Sequence, residues 1–229
     1  MKMADIVETS ETGSRLGWNP VDHYKDVEVA ERYDRERFSS IAGRVFNALE
    51  QASLRRILRH IPRSAHFIDI PCGTGRMAEV LLEMNYRVTG ADISPAMLEV
   101  ANRKLSRFGG RFDTIVCDAR ELSKAGGRYD AALCARVLMH FPLSGQIEFL
   151  NGIAEAVPGP IIISQSLDST YHRFRRKLKH LLGHQSSAGY PITEAELAEL
   201  LRRCNLREVR RARAMAPISE SMVVLTGRA

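Results

Sequence analysis

Three aspartates each close an apolar run in this sequence: Asp69, Asp92 and Asp118. The first is followed by a glycine pair, Gly73 and Gly75, which opens a segment of helical character. Glycines allow the backbone to approach a ligand closely, and a helix N-terminus offers unpaired N–H groups. An acid at the tip of the following strand can accept hydrogen bonds from both hydroxyls of a ribose. The order of strand, glycine turn, helix, strand and acid therefore predicts a nucleotide-binding βαβ unit.

Two kinds of nucleotide ligand fit this pattern, and the position of Asp69 separates them. Residues 73–78 match G-x-G-x-x-A, the dinucleotide fingerprint, in which the loop lies under a pyrophosphate. An acid four residues before the glycine pair would repel a pyrophosphate, but it would favour a cation or an amine. S-adenosylmethionine carries a sulfonium and an α-amino group and has no phosphate. Asp69 therefore favours this ligand, and an NAD(P)-dependent oxidoreductase is the main enzymatic alternative.

The run Asp-x-x-Cys-Gly-x-Gly at residues 69–75 resembles motif I of class I S-adenosylmethionine-dependent methyltransferases. The resemblance covers roughly residues 65–229, and Pro71 is a departure, since many members have glycine there. It implies an α/β, Rossmann-like fold with a mostly parallel seven-stranded sheet and helices on both faces. The sheet would end in an antiparallel hairpin, Arg207–Met215 and Met222–Thr226, and an N-terminal helical lid would cover the site.

The resemblance also implies roles for individual residues. Asp92 would bind the ribose and Asp118 the adenine amino group, although each could instead cap the helix or turn that follows it. Ala135 and Arg136 follow the fourth predicted strand and would line the methionyl end of the cofactor by their backbone. The other implied cofactor contacts, besides Asp69, are Pro71, Gly73, Gly75, Ile93, Ala119 and Tyr33.

His140 is the first candidate for a general base, because it follows the fourth strand, where acceptor and methyl group should meet. Histidine titrates near neutrality, yet this one could equally be a packed or capping residue. The reaction implied is transfer of a methyl group to an oxygen or nitrogen of a small molecule, lipid or saccharide. A non-catalytic cofactor-binding protein is the alternative from outside the enzymes. The four cysteines are scattered without a C-x-x-C pair, which suggests neither a zinc site nor an iron–sulfur site.

Positive charge is concentrated in the last quarter of the chain. Of a net charge of +6, residues 171–229 contribute +7. Part of it lies in a predicted helix at residues 172–182, inside an insert, residues 168–191, that should overhang the crevice. This helix could be a solvated face, a contact for an anionic acceptor, or a peripheral membrane contact. Nucleic acid is an unlikely partner, because no array of stacking aromatics accompanies the charge.

The remaining sequence predicts the organisation of the chain. Residues 1–62 form a tail and lid helices, and residues 63–229 form the cofactor-binding core. No apolar run approaches the roughly 18 residues of a membrane span, and the N-terminus lacks the apolar core of a secretory signal, so a cytoplasmic protein is expected. Helices are predicted over Val27–Phe38, Ile41–His60, Arg76–Met84, Pro95–Arg107, Leu143–Val157 and Thr193–Cys204. The second of these should bury Val45, Leu49, Ile57 and Ile61.

Overall fold

The structure is a computed structural model, and it describes residues 40–168, 190–213 and 221–229 of the 229-residue chain. Three short 3₁₀ helices, Ser106–Arg111, Ala119–Lys124 and Leu138–His140, lie in connections between larger elements. Those larger elements are α1 Ile41–Leu58, β1 His66–Asp69, α2 Arg76–Glu83, β2 Arg87–Asp92, α3 Pro95–Leu105, β3 Phe112–Val116, β4 Ala131–Ala135, α4 Leu143–Ala156, β5 Ile161–Ser166, α5 Glu194–Arg203, β6 Leu206–Arg213 and β7 Ser221–Arg228.

The seven strands form one sheet in the order β3-β2-β1-β4-β5-β7-β6. Strands β1 to β5 pair in parallel, and β7 runs antiparallel to both of its neighbours. This confirms the predicted Rossmann-like sheet and its C-terminal antiparallel hairpin. The strand order reverses between β1 and β4, and in such sheets the ligand crevice lies at that switch point, outside the carboxyl ends of the strands.

Strand side chains alternate between two apolar layers, and helices cover both faces as predicted. Ile68 of β1 belongs to the layer that contains residues of α4 and α5, whereas its neighbour Phe67 belongs to the layer built with α1 and α2. The period of two places successive side chains on opposite faces of a strand. Because both faces are buried, the strands read as nearly continuous apolar runs in the sequence.

Helix α1 packs against β6, β7 and α2, so its C-terminal half is part of the core. Its buried apolar residues begin at Leu54 and include Ile57. The predicted stripe is wrong at Val45, which is 49% exposed. At 3.6 residues per turn, Val45 points to the opposite side of the helix from Leu54. The preceding predicted helix, Val27–Phe38, lies outside the described residues.

Two helix starts follow the sequence signals closely. The side chain of Ser94 caps α3 by accepting a hydrogen bond from the N–H of Met97, with Pro95 in the first turn. Thr193 and Glu196 form the capping box that begins α5. The predicted basic helix at residues 172–182 lies outside the described residues. Among the helices of the described ranges, none is long and apolar enough to cross a membrane.

Candidate functional site

A cavity lies at the carboxyl edge of the sheet, at the switch point between β1 and β4. It is formed by the segments that follow β1, β2, β3 and β4. The structure brings most of the predicted site residues to this cavity: Asp69, Pro71, Gly73, Asp92, Ile93, Asp118, Ala119, Ala135, Arg136 and His140. Gly75 does not line the cavity, and Tyr33 lies outside the described residues.

The two glycines of the loop after β1 serve different purposes. Gly73 has a φ of 53°, and its N–H donates a hydrogen bond to Oδ2 of Asp92 at 2.9 Å. Gly75 begins α2 with a φ of 75°, and a Cβ there would lie 2.6 Å from Cδ1 of Leu105. The loop also donates from the N–H of Cys72 to the carbonyl of Ala91 at 2.8 Å. Gly73 thus ties the loop to the end of β2, while Gly75 allows α2 to approach α3.

Asp69 ends β1 as a buried carboxyl group, with 1% of its surface exposed. In the described ranges neither of its oxygens has a partner at hydrogen-bond distance. Burial raises its pKa to about 8, the nearby Arg76 lowers the pKa, the Asp92 carboxylate raises it, and the more distant N–H of Ala78 lowers it. A carboxyl group in this environment gains strongly from a cationic partner, because burial without one penalises its charged form.

Asp92 ends β2 and connects the two loops that follow β1 and β2. It is buried, and it accepts one hydrogen bond from the N–H of Gly73 and one from the N–H of Ser94, each at 2.9 Å. Burial raises the pKa of Asp92, whereas the N–H groups of Ser94, Gly73 and Ile93 lower it. The helix cap itself is Ser94, so Asp92 supports the start of α3 without being its cap.

Asp118 lies two residues beyond β3 and is held by Arg120. Its Oδ1 accepts from the backbone N–H of Arg120 at 2.9 Å, and its Oδ2 accepts from Nη2 of the same residue at 2.7 Å. Nε of Arg120 lies between the two oxygens, at 3.1 and 3.2 Å. Burial alone would raise the pKa of Asp118, but its hydrogen bonds and charge pairing with Arg120 bring the pKa below 3.8.

A buried polar group joins α1 to the cavity, and the sequence did not predict it. Glu50 of α1 is fully buried and accepts from Nη2 of Arg76 at 3.0 Å and from Oγ of Ser164 at 2.7 Å. Nη1 of Arg76 donates to Asn47 at 2.6 Å, and Nε of Arg136 lies 3.9 Å from Glu50. Glu50 lies on the same side of α1 as its buried leucines, and this placement is the signal that could have identified it.

The segment after β4 forms the other wall of the cavity. Arg136 has a φ of 62°, and its N–H donates to the carbonyl of Ser164 at 3.1 Å. His140 is partly buried at the end of a 3₁₀ turn, where its N–H donates to the carbonyl of Val137 at 2.9 Å. The next residue, Phe141, stacks on Phe149 of α4 with ring centroids 5.7 Å apart. The predicted base therefore lies in the cavity wall, on a segment fixed by α4 and β5.

Comparison with known proteins gives a match to a family model and a match to a curated relative. Residues 67–158 match a family described as a methyltransferase domain. A Bacillus subtilis (strain 168) protein, YqeM, whose name assigns it provisionally as a methyltransferase, is 33% identical over 77 residues. That alignment covers 26% of this chain and 31% of YqeM, so the chain matches about a third of the length of that relative.

Solved structures match over most of the chain. The magnesium protoporphyrin IX methyltransferase of Synechocystis PCC 6803, with bound S-adenosylhomocysteine, superposes with a TM-score of 0.74 at 19% identity, over 91% of this chain and 97% of that one. The 1,6-didemethyltoxoflavin-N1-methyltransferase of Burkholderia thailandensis gives 0.62 at 23% identity, over 92% and 91%. At these identities the likeness establishes the fold.

Proposed function

We propose that the chain is a class I S-adenosylmethionine-dependent methyltransferase that binds S-adenosylmethionine in this cavity, which the match to a methyltransferase domain over residues 67–158 and the shared fold support. We further propose that it transfers the methyl group to an oxygen or nitrogen of a small-molecule, lipid or saccharide acceptor. The observation that carries the cofactor assignment is Asp69, a buried carboxyl group in the cavity wall whose oxygens have no hydrogen-bond partner in the described ranges. An ammonium group is the ligand chemistry that satisfies such a carboxylate.

The other two acids fit the remainder of the same ligand. Asp92 already accepts two backbone N–H groups, and a carboxylate has about four lone-pair positions, so it can still accept from two ribose hydroxyls. Asp118 and the apolar ring of Phe149 both line the same cavity, which suits an adenine with an amino group. A dinucleotide fits less well, because its pyrophosphate would lie against Asp69 and the loop that follows it.

When bound, S-adenosylmethionine supplies an electrophilic methyl group on a sulfonium. The task of the chain is to hold acceptor and cofactor in line at about 3 Å, and alignment of this kind can be worth roughly 7–11 kcal/mol. Arg136 and His140 lie in the cavity wall beyond β4. We assign His140 as the group that takes a proton from the acceptor, where general-base catalysis typically contributes about 10²–10⁴-fold.

The names of the solved relatives support a small-molecule acceptor. One is named for magnesium protoporphyrin IX, and the other was crystallised with 1,6-didemethyltoxoflavin. The predicted anionic character of the acceptor and a membrane contact both rested on residues 172–182, so both stay predictions about a segment outside the described residues. Tyr33 likewise stays a predicted cofactor contact.

Calorimetry tests the cofactor assignment. S-adenosylhomocysteine should bind with a Kd in the micromolar range, and NAD should give no measurable heat. The Asp113→Asn variant should bind S-adenosylhomocysteine as the wild type does, because Asp113 is an exposed aspartate of β3 outside the cavity. Binding of NAD without binding of S-adenosylhomocysteine would overturn the proposal.

A second variant tests the catalytic role. His140→Ala should lower methyl transfer from labelled S-adenosylmethionine to a responsive acceptor by about 10²-fold or more, with the affinity for S-adenosylhomocysteine nearly unchanged. Full activity in this variant would remove His140 from the mechanism and leave the cofactor assignment intact.

A further inference from the structure

The pairing of Asp118 with Arg120 is unlike the surroundings of the other cavity acids. Arg120 contributes three donors to one carboxylate: its backbone N–H, Nε and Nη2. The partners lie two positions apart in the sequence, and Asp118 also caps the 3₁₀ helix Ala119–Lys124. Bidentate contact by a guanidinium fixes the plane of a carboxylate as well as its position. Asp118 is thereby held in one orientation at the wall of the cavity.

The number of acceptor positions left on Asp118 follows from these contacts. An ionised carboxylate offers about four lone-pair positions and no donor. Three donors of Arg120 occupy three of them, with Nε shared between the two oxygens at 3.1 and 3.2 Å. About one position is left for a ligand. A single N–H of a neutral amino group matches that remaining position.

The charge balance at this end of the cavity points the same way. Asp118 and Arg120 form an ion pair with a shortest N–O distance of 2.7 Å, so together they present little net charge. Glu148 lies 4.0 Å from Nη1 of Arg120 and is largely exposed. The pair therefore suits a neutral donor, in contrast to Asp69, which suits a cation. Since Arg120 keeps the pKa of Asp118 low, this carboxylate stays an acceptor at neutral pH.

We propose that Arg120 is a positioning residue for recognition of the base. It holds Asp118 in one orientation with one acceptor position open, which makes the site selective for a 6-amino purine over a 6-oxo purine. The inference rests on the proposed function, since it requires the adenosyl group to lie in this cavity. A 6-oxo purine places a carbonyl oxygen where the amino group would be, and two acceptors facing each other leave both without a donor.

Calorimetry with S-adenosylhomocysteine and S-inosylhomocysteine tests this selectivity. The wild-type protein should prefer the adenosine compound by at least about tenfold, because a site built around a hydrogen bond rejects an analogue that cannot make it. Arg120→Ala should reduce the ratio of the two affinities by about threefold to tenfold, because the variant should bind S-adenosylhomocysteine more weakly and S-inosylhomocysteine equally well. Arg120→Lys should recover part of the ratio, since an ammonium pairs with the charge of Asp118 but cannot hold its plane.

Two further variants separate positioning from general damage. Glu148→Gln is the matched control, because it removes a neighbouring acid of Arg120 and leaves the pairing with Asp118 in place. The ratio of the two affinities should equal that of the wild type. Asp118→Ala should abolish the selectivity, and adding Arg120→Ala to it should change the ratio no further.

An Arg120→Ala variant with the wild-type ratio would overturn the inference, and so would equal weakening of both compounds, which indicates a structural role. Absence of binding to either compound by the wild-type protein would instead count against the proposed function. Thermal unfolding of each variant checks that it is folded.

Discussion

The two ends of the cavity use the same residue type under opposite conditions. Asp69 is 1% exposed and has no hydrogen-bond partner in the described ranges, whereas the side chain of Asp118 is 29% exposed and paired with Arg120. Their pKa values move in opposite directions, upward for Asp69 because of burial and downward for Asp118 because of Arg120. Arg120 satisfies the second acid with hydrogen bonds, whereas we propose that a ligand satisfies the first.

The two arginines near these acids differ in the same way. Arg76, at the Asp69 end, has 15% of its side chain exposed and pairs with the fully buried Glu50. Arg120, at the Asp118 end, has 47% of its side chain exposed. Desolvation makes a buried pair costly to break, whereas water screens an exposed one. Substitutions at the Asp69 end should therefore cause the larger loss in the free energy of unfolding. Substitutions at the Asp118 end should mainly change the preference for the purine base.

The largest expected effect is on stability at the Asp69 end. Glu50→Ala should lower the free energy of unfolding by about 3 kcal/mol, because it leaves Arg76 without its buried carboxylate and Ser164 without its acceptor. Arg120→Ala should lower it by less than about 1 kcal/mol. Urea denaturation of the two variants beside the wild type measures both. Equal losses would mean that burial does not distinguish the two ends.

This contrast marks the limit of prediction from the sequence. The succession of strands and helices could be predicted, because apolar runs ending in acids, glycine turns and helix caps are local signals. The seven-stranded sheet and its hairpin were predicted from the resemblance to the family, and the strand order was not predicted. The pairing of Arg120 with Asp118 was also within reach, since the two lie two residues apart. The contact between Glu50 and Arg76 was not, because it joins residues 26 apart through the packing of α1. Whether a buried acid has a hydrogen-bond partner depends on every segment around it, and among the described residues Asp69 has none.

The second prediction concerns pH and should separate the two acids by sign. Asp69 has a pKa of about 8 in the folded protein and about 3.8 when unfolded, so between these values the folded state holds a proton that the unfolded state has lost. Stability should therefore fall as pH rises through this window, by up to about 1.4 kcal/mol per pH unit. Asp69→Asn mimics the neutral acid and should lack this fall.

The difference in unfolding free energy between Asp69→Asn and the wild type should grow by about 2 kcal/mol from pH 5 to pH 8. This is less than the full slope gives, because a buried site relaxes when it ionises.

The contribution of Asp118 to stability should depend on pH in the opposite direction. Its lowered pKa contributes stability that is present above its unfolded pKa of 3.8 and is lost as pH falls through its folded pKa. Asp118→Asn should therefore give a flat difference between pH 5 and pH 8. A difference between Asp69→Asn and the wild type that does not change with pH would contradict the assignment of Asp69 as a buried acid without a hydrogen-bond partner in the described ranges.

The smallest expected effect is on ligand affinity, and it compares the two ends directly. At pH 8 Asp69→Asn should weaken S-adenosylhomocysteine by ~1.5 kcal/mol, about tenfold, because it removes a charge-assisted contact to the ammonium group. The loss is modest because the wild-type carboxyl group, with a pKa of about 8, must release its proton in part of the molecules before it can pair.

Methylthioadenosine has the adenosine but lacks the amino acid portion, so Asp69→Asn should not change its affinity. Asp118→Ala should weaken both compounds equally. Calorimetry on this set of two variants and two ligands decides the matter: if Asp69→Asn also weakened methylthioadenosine, the buried acid would have to lie near the base or ribose, and the assignment of the two ends would be reversed.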